Sequence, residues 1–158
     1  MADWGIFFAA QVGASAALAG LIFVSVSLSL AKIIASAHLP TRAFQALMVL
    51  LEILTIASLA IVPQSRIALG AEVLVIGAAI WALVLTFDRQ SLKSAGIEYR
   101  RRALARMSLS QIAALLYVVA GVTLLASDTG LYWLVPAILG SYLIAMLDAW
   151  VLLVEINR

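Results

Sequence analysis

The chain contains no cysteine, which excludes disulfides, thiolate metal sites and cysteine nucleophiles. It has a single histidine, His38, so one chain cannot assemble a multi-histidine metal or haem site. Charge is equally scarce: 11% of the 158 residues are Asp, Glu, Lys or Arg, against about 25% in an ordinary soluble domain. Catalytic signatures are missing too. There is no nucleophile elbow, no phosphate-binding glycine loop, no HExxH and no acid pair clustered in one segment. These absences argue against an enzyme, a bound cofactor or metal, and a nucleic-acid-binding surface.

What remains is apolar. Hydrophobic residues make up 65% of the chain, and the mean hydropathy is +1.14. A membrane-spanning helix takes about 20 mostly apolar residues, so the supply matches five spans and leaves little for a soluble domain. The reading is one all-α transmembrane domain over residues 1–158 with five helices, at about 4–33, 42–62, 67–87, 107–126 and 131–154. Backbone polar groups in hydrocarbon are satisfied only in helices or closed barrels, and the period-2 alternation of a barrel is absent. Pro40 and Thr41 break the chain before the second helix, and Pro63 to Arg66 and Ser127 to Gly130 form turns. The stretch 88–106 is expected to be a polar loop. The start of the chain has no basic segment before its long apolar run, which reads as a retained first helix.

Basic residues orient such a chain. Lys32, Arg42, Arg89, Lys93, Arg100, Arg101, Arg102, Arg106 and Arg158 fall on one side of five spans, and only Arg66 on the other. This predicts an outside N-terminus and a cytoplasmic C-terminus. Trp4, Tyr132 and Trp133 then lie at the outer boundary as an aromatic belt. The run Arg100-Arg101-Arg102 with Arg106 is the densest basic patch, read either as an anchor on anionic headgroups or as a docking surface for a partner. Glu98 and Arg102, four residues apart, would favour a helical extension there. His38 reads as an ordinary loop histidine, with pH sensing the sharper alternative.

The intramembrane polar residues carry the functional question. Glu52 sits near the middle of the second helix, where a carboxylate costs several kcal/mol unless paired, hydrated or protonated. Thr41, Gln45, Glu52 and Thr55 share a face of about 80°. Two readings stay open: a polar pathway for an ion, a proton or a polar substrate, or an interhelical hydrogen-bond clamp. Asp148, on one face with Ser141 and Glu155, joins either that pathway or a salt bridge with Lys32, Arg42 or Arg106. Glu72 lies near the start of the third helix, where the helix dipole and water suffice to hold it.

The first helix has two faces. Gln11, Ser15, Ser25, Ser29 and Lys32 cluster within about 100°, a polar stripe that could line a path or simply bond within a bundle. Nearly opposite lie Gly13, Ala16, Ala17, Gly20 and Ser27, whose small-xxx-small spacing lets a neighbouring helix approach closely. Helix 4 has a comparable packing seam in Ser110, Ala114, Tyr117 and Gly121.

Three segments also match a pattern: Trp4-Gly5-Ile6-Phe7-Phe8, the run Gly13 to Val24 (GASAALAGLIFV), and Leu39-Pro40-Thr41-Arg42-Ala43. In these the chain resembles a group of small bacterial multi-pass proteins described as modulators of the membrane-bound FtsH protease. The resemblance covers residues 4–62 and implies a bacterial inner-membrane location. It brings no catalytic or binding residues. The sequence thus points to a homo-oligomeric, channel-like or transporter-like protein, with a non-transporting adaptor of another membrane complex as the alternative.

Overall fold

The computed structural model describes residues 4–35, 39–94 and 100–156, with the side chains of 91, 93, 94, 100–103, 153, 155 and 156 left aside. Six helices follow in order: α1 Trp4–Leu28, α2 Leu30–Ala35, α3 Leu39–Ile61, α4 Arg66–Ser94, α5 Arg100–Ala126 and α6 Gly130–Ile156. Among the described residues there is no strand. Five helices are long and apolar enough to cross a membrane, over Trp4–Leu28, Leu39–Ile61, Arg66–Gln90, Leu104–Ala126 and Gly130–Leu152. At 1.5 Å per residue even the 23-residue spans reach about 35 Å, enough for a hydrocarbon core of about 30 Å. The chain is a helical multi-pass membrane protein.

The helix ends depart from expectation in three places. The first apolar run breaks at Ser29, where Ser29 N–H bonds the carbonyl of Val26 at 3.3 Å and a short α2 restarts the chain. The next helix begins at Leu39, three residues early, with Pro40 in its first turn, where a missing N–H costs nothing. The stretch 88–106, expected as a loop, is helical as far as Ser94 and again from Arg100. Hydropathy marks where a helix leaves hydrocarbon, whereas the backbone ladder continues for as long as its side chains find partners.

The chain divides into two compact units. The first comprises residues 1–64 and 142–158, hence α1, α2, α3 and the last part of α6. Its centre is α3, buried at Leu39, Ala43, Ala46, Leu50, Ile53 and Ala57, a 3–4 spacing that keeps one stripe facing inward. Gln45, Val49, Glu52 and Ile56 form an adjoining buried stripe. Tyr142 of α6 donates a hydrogen bond to the backbone carbonyl of Gln11 in α1 at 3.1 Å. At the other end Leu152 joins Ile33, Leu39 and Ala43 in a buried cluster, with Val26 against it.

The second unit, residues 65–141, is built on the antiparallel pair α4–α5. Its seam is set by glycine. A Cβ on Gly121 would stand 2.7 Å from the backbone nitrogen of Leu74, and one on Gly77 would stand 2.9 Å from Cβ of Tyr117. Ser110, Ala114, Tyr117 and Leu124 are all buried along the same face of α5. At one end Arg66 donates to the carbonyl of Leu124 at 3.0 Å, so a cation meets the unsatisfied carbonyls of a helix C-terminus. Ser65 caps α4 by accepting from the N–H of Ala68 at 3.2 Å.

Candidate functional site: the intramembrane carboxyl Glu52

Glu52 lies on α3 nine residues before its last residue, Ile61, which puts it about 14 Å from that end. It is 3% exposed. Among the described residues nothing hydrogen-bonds its Oε1. Leaving a buried acceptor unsatisfied costs about 1–3 kcal/mol, so this oxygen is a local energetic defect in an otherwise close-packed helix.

The other expected pathway residues are distributed as follows. Gln45, two helical turns before Glu52 on the same stripe, is buried. Thr55 is half-buried and donates to the carbonyl of Leu51 at 2.8 Å. Ser25 and Ser29 are half-buried, and Ser25 donates to the carbonyl of Leu21 at 2.9 Å. Ser15 is fully buried and donates to Gln11 at 2.7 Å. Thr55 and Ser25 thus spend their one proton on their own helix, so toward anything else they are acceptors. Asp148 is buried in the same unit as Glu52, whereas Ser141, also buried, belongs to the second unit.

Along α1, Ser15 and Ser25 bond to their own helix, the bundle arrangement that the polar stripe allows, while the small-residue stripe is open. Gly13, Ala16, Ala17, Gly20 and Ser27 are all exposed, and a Cβ on Gly13 or Gly20 would meet nothing within 4 Å. The expected close packing at Gly13, Ala17 and Gly20 therefore has no counterpart among the described residues. Small side chains permit an approach without naming the helix that makes it. Gly121, by contrast, sits in the tight α4–α5 seam.

A second polar group went unforeseen. Asp88 is buried and accepts from Ser110 Oγ at 2.5 Å, Gln111 Nε2 at 3.0 Å and Arg106 Nη1 at 3.3 Å. Gln111 in turn accepts from Trp81 Nε1 at 2.7 Å. This is a satisfied network near the ends of two spans, suited to holding α4 and α5 in register. Its signal was present in the sequence, because Asp88 and Arg106 are equidistant from residue 97, as paired positions of a helical hairpin must be. Arg106 accordingly pairs with Asp88. The side chains of Arg100, Arg101 and Arg102, and all of His38, lie outside the described residues. Among the described residues no three His, Asp or Glu side chains gather to hold a metal ion.

Comparison with known protein families, with curated proteins and with solved structures finds no match.

Proposed function

We propose that the chain is a small bacterial inner-membrane protein that assembles as a homo-oligomer and carries a proton or small cation across the bilayer on Glu52. The observation behind this reading is the buried carboxyl with one oxygen unbonded at mid-span. An ionisable group at that depth is expensive and by default functional. A carboxyl accepts a proton or a cation, and Gln45 and Thr55 on the same helix, with Ser29 beyond α1, offer further oxygen acceptors to the same species. Asp148, buried in the same unit as Glu52, adds a second carboxyl on α6. The nine-to-one distribution of basic residues supports an outside N-terminus and a cytoplasmic C-terminus.

Flux into liposomes containing the purified protein tests this reading, with a pH-sensitive dye for protons and a potassium indicator for cations. Wild-type protein is expected to conduct, and Glu52→Gln and Glu52→Ala to abolish flux. No flux from the wild type, or flux unchanged by both substitutions, overturns the proposal.

A second reading rests on a different observation, the open small-residue face of α1. On this reading the protein is a non-transporting adaptor or regulator that docks on another membrane protein, such as a protease complex. Disulfide cross-linking from Gly13→Cys or Ala17→Cys in native membranes separates the two. Self cross-links favour the oligomer, and links to a different protein favour the adaptor.

A further inference from the structure

A groove of about 270 Å³ runs along the first unit, walled by Leu18, Ile22 and Val26 of α1, Leu50 of α3, and Ala149 and Trp150 of α6. Its one hydroxyl, Ser25, is turned onto the carbonyl of Leu21 at 2.9 Å, so the wall presents carbon almost throughout. Leu18 to Val26 covers about 12 Å along α1, wholly within the span Trp4–Leu28. Trp150, at 67% exposed, and Met146 stand on the rim, which leaves the groove open along its side. Past Val26 it ends at the buried cluster of Ile33, Leu39, Ala43 and Leu152. Lys32 and Arg42 adjoin two members of that cluster in the chain. Lys32 is exposed and Arg42 half-buried.

We propose that this groove holds one acyl chain of an anionic phospholipid whose phosphate lies at Lys32 and Arg42. A lipid tail is as apolar as leucine, so the groove supplies shape but cannot choose among lipids. Choice comes from the head: Lys32 and Arg42 carry two positive charges against the one formal negative charge of Asp148, buried in the same unit beside the lining Ala149, and that excess attracts a headgroup of net negative charge over a zwitterionic one. The length of the groove, its depth within the span and the charge at its end agree on one class of occupant. This inference is independent of transport by Glu52.

Trp150 on the rim is a built-in reporter, because bromine on an acyl chain quenches a tryptophan that it touches. The difference in fluorescence between wild type and Trp150→Phe isolates its signal. The measurement uses vesicles in which dibrominated phosphatidylglycerol or dibrominated phosphatidylcholine replaces a small fraction of unbrominated phosphatidylcholine. Trp150 is expected to be quenched at a phosphatidylglycerol fraction about fivefold or more below the phosphatidylcholine fraction needed. Lys32→Gln with Arg42→Gln should erase that preference. Ala149→Phe, which fills the groove and keeps both cations, should weaken it. Equal quenching by the two lipids would mean ordinary bulk lipid and overturns the proposal. Protection of Trp150 from both also overturns it, since a second copy or another helix would then cover the groove.

Discussion

Ser110 donates a 2.5 Å hydrogen bond to the carboxylate of Asp88 across the α4–α5 pair, alongside donors from Gln111 and Arg106. Asp88 is therefore the common acceptor of three side chains, and its removal takes one acceptor from each of them. Asp88→Ala is expected to cost about 1–3 kcal/mol. Arg106→Ala should cost less, because its side chain is partly exposed and Asp88 keeps two donors. Unfolding by SDS in mixed micelles measures both. Equal losses would mean that the ion pair, and not the hydrogen-bond set, holds the hairpin.

The glycines divide into two groups that should respond oppositely to alanine. Gly121→Ala forces a methyl to 2.7 Å from Leu74 N, a backbone atom that cannot swing aside. It should cost about 1–3 kcal/mol through overpacking. Gly77→Ala meets Cβ of Tyr117 at 2.9 Å and should behave similarly. Gly13→Ala and Gly20→Ala meet nothing, so in the isolated protomer they should be neutral or gain up to about 1 kcal/mol of helix propensity. The same SDS titration ranks the four. Destabilisation by Gly13→Ala that grows with protein concentration would place a second copy on that face.

The contrast between these glycines shows what the chain discloses of itself. The five spans follow directly from the apolar runs, whereas the buried stripe of α3 from Leu39 to Ala57 emerges only with a helix that starts at Leu39 instead of 42. The seam of α5 through Ser110, Ala114, Tyr117 and Gly121 is equally plain from its small residues. Partners are harder. Gly13 and Gly20 have the spacing of a contact, yet a Cβ on either would meet nothing within 4 Å among the described residues, whereas Gly70 and Gly77 show no small-xxx-small pattern and lie directly against α5. Their fit depends on Leu74 projecting between them toward Gly121, a relation between two helices that neither sequence contains alone. The depth of Glu52 along its helix is legible in the same way, but its burial and the unbonded Oε1 depend on how every neighbouring side chain turns.

That unbonded oxygen leads to a stability prediction separate from transport. Glu52→Met keeps the length of the side chain and removes both oxygens. Replacing a buried, incompletely bonded polar group by an apolar one of similar shape is neutral or favourable. Glu52→Met is therefore expected to be as stable as wild type or about 1–2 kcal/mol more stable in SDS unfolding, while conducting nothing in liposomes. A loss of more than about 2 kcal/mol would identify Glu52 as a structural clamp bonded within its bundle, the alternative that its sequence position left open.

The absence of cysteine makes the orientation directly measurable, since any introduced thiol is unique. Thr129 is exposed in the turn between α5 and α6, and Ala95 falls between α4 and α5. Successive spans alternate in direction, so the two positions lie on opposite sides. Nine of the ten basic residues fall on the side of Ala95, the side that resists translocation. An impermeant maleimide applied to intact spheroplasts is expected to label Thr129→Cys and to reach Ala95→Cys only after the membrane is opened. The reverse pattern would place Arg66 alone in the cytoplasm and contradict the charge rule. Labelling of both positions without permeabilisation would mean that the number of spans between them is even.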